Sequence, residues 1–77
     1  MTPARLAQIG ELLYGAWWRD PLARAIKVAE RTIRRWAAGD NPIPEGIDAD
    51  LAKLCREKAS ALIKAAEQLE RSGGPNE

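Results

Sequence analysis

Apolar residues near the start of the chain recur at spacings of three and four, which is the period of one face of an α-helix. These residues are Leu6, Ile9, Leu12 and Leu13. Pro3 suits the first turn of a helix, and Gly15 suits its end. The pattern predicts an amphipathic helix over residues 3–14.

A second helix is predicted after a short connector at residues 15–19. Asp20 stands directly before Pro21, and an acidic capping residue followed by proline is a strong signal for a helix start. We therefore expect Asp20 to cap a short helix over residues 21–26.

A third helix is predicted over residues 30–38, after a tight turn at residues 27–29. Its apolar residues and its arginines fall on opposite faces. The apolar face carries Ile33, Trp36 and Ala37, and the cationic face carries Arg31, Arg34 and Arg35. Gly39 suits the C-terminal end of this helix.

One long helix, or two helices with a slight bend, is predicted over about residues 48–71, because strong helix formers dominate this stretch and no proline or glycine interrupts it. Two prolines and a glycine within residues 40–46 predict an ordered loop before it. Residues 72–77 are expected to form a disordered tail. Together these elements predict an all-α fold of four or five helices, in one domain over residues 1–71.

The long helix carries a further apolar pattern, in alternating steps of four and three residues. Its members are Cys55, Ala59, Leu62, Ala66 and Leu69. This is the spacing of a coiled-coil seam, so the five residues are a candidate homodimer interface. The alternative is that the helix folds back onto the first helix. Leu51, Leu54 and Leu62 are interpreted as core contacts.

Composition limits the class of protein. The chain has 77 residues, of which 45% are hydrophobic and 30% charged, and it has no phenylalanine, which fits one small helical domain. No stretch reaches the roughly 18 apolar residues of a membrane helix. The N-terminus has no secretory pattern and the single cysteine excludes an internal disulfide. These features predict a cytoplasmic protein with no membrane partner.

The charges are unevenly distributed, although the formal net charge is only +1. Residues 1–39 hold seven Lys and Arg against three Asp and Glu, whereas residues 40–77 hold five against eight. Because DNA responds to the local field rather than to the total charge, the basic front half indicates a surface that meets a polyanion. The alternative is a chance imbalance on a solvated surface.

Two short helices joined by a tight turn, the second with cations along its outer face, match the physical description of a helix-turn-helix unit. The apolar residues that can meet between the helices are Leu22, Ile26, Val28, Ile33 and Trp36. Ala23 is small enough to let the helices cross closely. The segment PLARAIKVAERTIRRWAAGD resembles the Cro and lambda-repressor-like (XRE-type) helix-turn-helix family. The resemblance extends over about residues 5–55 and implies a motif at residues 20–39.

The chain departs from the family pattern at two positions. Lys27 stands where the family usually has a glycine in the turn, and Ala29 stands where it usually has a serine that caps the recognition helix. A left-handed conformation at Lys27 would cost on the order of 1 kcal/mol. The missing serine cap would cost about 1 kcal/mol as well.

By position, the resemblance implies DNA contacts from the first turns of the third helix. The residues concerned are Glu30, Arg31, Thr32, Arg34 and Arg35. Arg31 and Arg35 lie one helical turn apart, and an arginine can donate two hydrogen bonds to one guanine. Glu30 could accept from a cytosine amino group, or it could orient Arg34 from four residues away.

The resemblance implies two further DNA contacts outside the third helix. Arg19 matches a position that holds a phosphate in relatives, with help from the backbone amides near residues 20–22. Lys27 is placed to reach the DNA backbone, although a solvated surface charge is an equal interpretation of this residue.

The tryptophans allow two interpretations, base stacking or core packing. We favour the core, because Trp36 occupies the apolar position between the two motif helices. Trp17 and Trp18 are adjacent, so they cannot both point inward from a regular element, and one of them is expected to be partly exposed.

The leading hypothesis is a sequence-specific regulator of transcription that binds double-stranded DNA, specifically a repressor that binds a palindromic operator as a homodimer. Relatives of this kind are often encoded by phages and mobile elements. The alternative is a protein-interaction or inhibitory module, such as an antitoxin or a phage-encoded inhibitor, which a long acidic helix would favour. An enzyme is disfavoured, since the sequence has no histidine, nucleophile-base pair or glycine-rich phosphate loop. No metal or cofactor is expected.

Overall fold

The computed structural model describes residues 1–72, and these residues form four α-helices and no strand. The helices are α1 (Pro3–Tyr14), α2 (Arg19–Ile26), α3 (Glu30–Ala38) and α4 (Gly46–Ser72), and a 3₁₀ turn covers Gly15–Trp17. The all-α prediction is confirmed. The tail predicted at residues 72–77 lies outside the described residues, apart from Ser72, which ends α4.

Hydrogen bonds close both ends of α1, which spans the predicted residues. At its start, Thr2 Oγ1 accepts from the Arg5 N–H at 3.1 Å, so one of the otherwise unpartnered first amides is satisfied. At its end, Gly15 has φ 80° and donates its N–H to the carbonyl of Glu11. Glycine adopts this positive φ without steric cost, so the chain can leave the helix and enter the 3₁₀ turn.

The core lies where α1, α2, α3 and the first part of α4 meet. Its buried side chains are Leu6, Trp18, Leu22, Ala23, Ile33, Trp36, Ile47 and Leu51. The expectations for the tryptophans are confirmed, because Trp36 is buried, Trp18 is 2% exposed and Trp17 is 87% exposed. Trp18 therefore fills the centre of a core that contains no phenylalanine.

The Trp18 ring lies directly against the backbone of α1 at Gly10. A Cβ atom on Gly10 would lie 2.5 Å from Cδ2 and 3.0 Å from Cγ of this ring, which is well inside the distance of van der Waals contact. The largest side chain of the core thus needs a glycine in the middle of a helix, where helix propensity alone disfavours one.

Leu12 corrects the predicted apolar face of α1. We expected it to face the core, but it is 73% exposed, whereas Leu13 beside it is 4% exposed. Leu6 and Leu13 lie seven residues apart, which is close to two full turns, so they share the core face. Leu12 lies about 100° round the helix from Leu13 and points away from that face.

The start of α2 differs from the prediction that Asp20 caps it. The helix begins at Arg19 and its N-cap residue is Trp18, whose backbone is already helical and whose side chain makes no capping bond. The 3₁₀ turn runs almost directly into α2, so no extended residue remains at position 20 to act as a cap. Asp20 instead accepts from the Arg24 guanidinium at 2.6 Å, one turn along the helix.

The turn between α2 and α3 has both consequences expected of its unusual residues. Lys27 adopts the left-handed conformation, with φ 62° and ψ 46°, and its N–H donates to the carbonyl of Ala23. Ala29 is the extended N-cap residue of α3 and supplies no side-chain hydrogen bond. This turn therefore carries backbone strain at Lys27 and leaves the first amides of α3 without a side-chain cap.

We predict that Lys27→Gly stabilises the protein, since glycine removes the Cβ that makes a left-handed conformation costly. The expected gain is about 0.5–1 kcal/mol, because the greater freedom of glycine in the unfolded chain offsets part of the relief. Thermal unfolding measures it. Lys27→Ala is the matched control, because it removes the same charge and keeps the Cβ, and an equal gain in that variant would contradict the explanation by strain.

The first part of α4 packs on the core, and the rest of the helix projects beyond it. Ile47 and Leu51 are buried, Leu54 packs against the core at its edge, and the Lys58 ammonium donates to the carbonyl of Leu13 at the end of α1. Every residue from 59 to 72 is exposed. The helix thus does not fold back onto α1 beyond Lys58, and the predicted core contact of Leu62 is wrong.

The length of α4 sets the dimensions of the molecule, 53 × 21 × 20 Å. With 27 residues, α4 is about 40 Å long at the α-helical rise. It begins two residues before the predicted start, since Ile47 and Asp48 donate to the carbonyls of Pro44 and Glu45. Within residues 1–72, no helix is both long enough and apolar enough to cross a membrane.

The charge of α4 corrects the expectation of an acidic long helix. Between Gly46 and Ser72 the helix carries five Asp and Glu and five Lys and Arg, so it is neutral overall. Much of the acidic excess of the second half of the sequence comes instead from Asp40 and Glu45 in the loop before α4. This removes the feature that favoured an acidic protein-binding helix.

Candidate functional site

The cationic face predicted for α3 is present and open to solvent. Ile33 and Trp36 anchor one face of the helix in the core, so the residues on the opposite face point outward. Arg31, Arg34 and Arg35 are all exposed. The amphipathic pattern of a nine-residue helix thus places three guanidinium groups on one outer surface.

These arginines share an open groove of about 610 Å³ with the arginine at the start of α2. Its lining residues are Arg19, Arg31, Arg34, Arg35, Ala37, Ala38 and Asp40. We call it the arginine groove. Arg19 comes from α2 and the other three arginines come from α3, so the packing of these two helices assembles the site. Four cations against one carboxylate make the groove a strongly positive surface.

The ion pairs of α3 distinguish one of the four arginines from the others. Arg34 Nε lies 2.9 Å from Glu30 Oε1, one turn earlier in the same helix. The sequence left two roles open for Glu30, a contact with cytosine or the orientation of Arg34. In the structure Glu30 orients Arg34. No ion pair within residues 1–72 involves Arg19, Arg31 or Arg35, so these three guanidinium groups are available to an anion.

Arg19 is held in place by an aromatic contact rather than by a carboxylate. Its guanidinium carbon lies 5.2 Å from the centre of the Trp18 ring, within the range of a cation–π interaction. The help expected from backbone amides 20–22 is reduced, because Pro21 has no N–H and the Leu22 N–H donates to the carbonyl of Trp18. Arg19 acts in the groove mainly through its side chain.

Three predicted DNA-binding residues do not line the arginine groove, namely Thr32, Lys27 and Glu30, which pairs with Arg34. Thr32 is half-buried and does not line the groove. Lys27 is exposed and lines a separate cleft of about 240 Å³ beside α4, together with Asp50, Lys53 and Glu57. The structure brings together Arg19, Arg31, Arg34 and Arg35, and it places Lys27 near carboxylates of α4 instead.

Three groove residues were not predicted from the sequence, namely Ala37, Ala38 and Asp40. Ala38 lies seven residues after Arg31, near two full turns, so helical spacing could have indicated it. Asp40 follows Gly39, which ends α3 in a left-handed conformation with φ 82°. Its position in the groove depends on that turn and has no signal in the periodic pattern.

The residues of the predicted homodimer seam lie along one side of α4. Cys55 is half-buried beside the core, and Ala59, Leu62, Ala66 and Leu69 are exposed. Leu62 and Leu69 are 61% and 69% exposed, so the seam presents two large apolar side chains to solvent. The seam thus runs from the edge of the core along the projecting part of α4.

Comparisons with known proteins identified no relative of this chain. No protein-family model, curated protein or solved structure matches the chain. The arginine groove and the projecting part of α4 are therefore the observations from which a function has to be argued.

Proposed function

We propose that this protein is a helix-turn-helix DNA-binding regulator of the Cro and lambda-repressor-like kind. α2 and α3 form the motif, α3 is the recognition helix, and the ligand is double-stranded DNA. The observation that carries the proposal is the arginine groove, in which Arg19, Arg31 and Arg35 have no ion pair within the described residues. A groove of this charge attracts a polyanion, and its position along α3 fits a helix that enters the major groove.

The groove arginines divide into two roles by their position. Arg31 and Arg35 project from α3 one turn apart, so they can reach base edges, where arginine reads guanine through two hydrogen bonds. Arg19 lies at the start of α2, where it can hold a phosphate and fix the orientation of the motif on the duplex. Arg34, which pairs with Glu30, can add to either role, base reading or phosphate contact.

The proposed regulator is a repressor that binds a palindromic operator as a homodimer. A two-fold dimer presents two recognition helices, which read half-sites about 34 Å apart when they enter successive major grooves. The small size of the domain favours a dimer as well, because 77 residues bury little surface in a single copy and a second copy adds to it.

A selection of bound duplexes from a random DNA pool tests this function, with the wild type run beside Arg31→Ala/Arg35→Ala. We expect the wild type to enrich a palindromic site and the double variant to lose the enrichment, because both base-reading side chains are removed. Both positions are exposed, so the substitutions leave the core intact. No enrichment by either protein, even at low salt where counterion release favours binding, would contradict the proposal.

A second candidate function is a protein-interaction or inhibitory module on the same scaffold. The exposed apolar side chains on the projecting part of α4 favour it, since apolar surface of this kind marks interaction sites. Purification of the tagged chain with a stoichiometric protein partner that withstands nuclease treatment would support this candidate over the regulator.

A further inference from the structure

The projecting part of α4 continues the face by which the helix enters the core. Leu51, Leu62 and Leu69 are separated by eleven and seven residues, and both spacings are close to whole numbers of turns. Leu51 is 2% exposed, whereas Leu62 and Leu69 are 61% and 69% exposed. The same apolar face is therefore covered by α1 in its first half and open to solvent in its second half.

An apolar groove adjoins this face where α1 and α4 meet. It has a volume of about 270 Å³ and is lined by Met1, Arg5, Ile9, Asp48, Leu51, Ala52 and Cys55. Leu12 lies one turn after Ile9 on α1, outside the lining of the groove, and is 73% exposed. Ile9 and Cys55 are half-buried at the groove, which leaves room for one further side chain against them.

The seam residues of α4 are spaced almost symmetrically about Leu62. Cys55 lies seven residues before it and Leu69 lies seven residues after it, while Ala59 and Ala66 lie three before and four after. If two copies of α4 pair antiparallel with the two-fold axis at Leu62, Leu69 of each copy reaches Cys55 of the other, about 10.5 Å from the axis. The two alanines then face each other and allow the helices to approach closely.

We propose that the occupant of this surface is a second copy of the chain, paired antiparallel along α4, with Leu69 of each copy inserted into the groove between α1 and α4 of the other. The contact is isologous, so one surface serves both copies and the assembly closes as a dimer. Each copy covers the exposed leucines of the other.

The charges at the edges of the seam favour the antiparallel arrangement. Arg5 lines the groove, Arg56 follows Cys55, and Glu70 follows Leu69. In the antiparallel pair Glu70 of the second copy arrives beside Arg56, and the two-fold axis repeats the contact. In a parallel pair Arg56 and Glu70 would lie at different levels along the helices and would not meet, so this contact between opposite charges would be absent.

This proposal names the contact of the homodimer on which the proposed function rests, but its tests contain no DNA. Loss of the dimer and loss of DNA recognition are therefore measured separately. A dimer that enriches no operator would contradict the regulator alone, and an operator reader that stays monomeric without DNA would contradict the α4 contact alone.

The first test measures the oligomeric state of the full chain by sedimentation equilibrium. We expect a wild-type dimer, and we expect Leu69→Glu to raise the dissociation constant by about 100-fold, because each interface then buries two carboxylates in apolar grooves. Leu69 is exposed in the single copy, so the substitution leaves the core intact. Ser60→Glu adds the same charge on the opposite face of α4 and is expected to leave the dissociation constant unchanged.

Either of two results would overturn the proposal. One is a wild-type chain that remains monomeric over the whole concentration range, and the other is an equal loss of dimer in Leu69→Glu and Ser60→Glu. The second copy would then not be the occupant of the seam, and a different protein would be the remaining class of partner.

The second test fixes the direction of the two helices. In Leu69→Cys the introduced thiol is expected to form a disulfide with Cys55 of the second copy, which peptide mapping identifies. The control is Leu69→Cys/Cys55→Ser, in which the two introduced thiols of an antiparallel dimer lie about 21 Å apart along the helices, beyond the reach of a disulfide. Cross-linking of the control, or no cross-link between positions 55 and 69 in the first variant, would contradict the antiparallel contact.

Discussion

Gly10→Ala is expected to lower the free energy of unfolding by about 3 kcal/mol, at the upper end of the usual cost of overpacking a core. The added methyl group would lie 2.5 Å from Cδ2 of the Trp18 ring. Trp18 is 2% exposed and belongs to the buried core cluster, so a shift of its ring would displace other core side chains. Relief therefore requires either this displacement or a movement of α1 away from the core.

Thermal or urea unfolding measures this loss of free energy of unfolding. For a domain of this size, a loss of 3 kcal/mol lowers the midpoint of thermal unfolding by roughly 12–24 °C. Gly46→Ala is the matched control, because a Cβ atom there meets nothing within 4 Å and helix propensity favours alanine. Equal midpoints for Gly10→Ala and wild type would show that the contact between Trp18 and α1 does not limit stability.

Arg31→Ala/Arg35→Ala is expected to weaken binding to the selected operator by about 2–6 kcal/mol, because each lost arginine that reads a guanine costs about 1–3 kcal/mol. Binding to unrelated duplexes should weaken much less, since those contacts depend on charge and not on base edges. The ratio of the two affinities, measured by fluorescence anisotropy at one salt concentration, therefore falls towards one.

Arg19→Ala is expected to behave differently within the same experiment. As a phosphate contact it should weaken binding to all sequences similarly and reduce the salt dependence by about one unit of slope. Lys64→Ala removes the same charge from an exposed position on α4 and serves as the control. If Lys64→Ala and Arg19→Ala change the affinity and the slope equally, the arginine groove is not where the polyanion binds.

Local signals predicted most of the helical structure. α1 and α3 begin and end at the predicted residues, because proline, glycine and the three- and four-residue spacing of apolar side chains act over single turns. The start of α2 was wrong for the opposite reason. Asp20 would cap a helix that follows an extended residue, but burial of Trp18 in the core fixes a helical backbone one position before Arg19.

Predictions of burial were wrong where burial depends on whether another helix is present to cover the residue. Leu62 has the helical spacing of a core residue, but α1 ends at Tyr14, and no described residue covers α4 beyond Lys58. The need for Gly10 was not predicted either. From the sequence, a glycine inside a helix indicates only a local loss of helix stability. Its packing role becomes visible once the Trp18 ring is known to lie against it.

The residues of the candidate site were predicted in part. What the sequence did not predict is which of them the packing of the helices brings together. The motif indicated Arg31, Arg34 and Arg35, whose common face follows from helical spacing. Arg19 was predicted from the family resemblance alone. Its place in the same groove, like the position of Lys27 beside α4, depends on how α2 crosses α3. The left-handed conformation of Lys27 was predictable, because the position in the turn determines it.

The bond from Lys58 to the last turn of α1 divides α4 into two parts with different local stability. Amides before Lys58 are held by core packing and become accessible to deuterium only when the whole domain opens. Amides after it are held by helical hydrogen bonds alone, so fraying exposes them while the core stays folded. Pairing with a second copy would make the exchange of those later amides slower as the protein concentration rises, because the paired helices would have to separate before this part of α4 could fray.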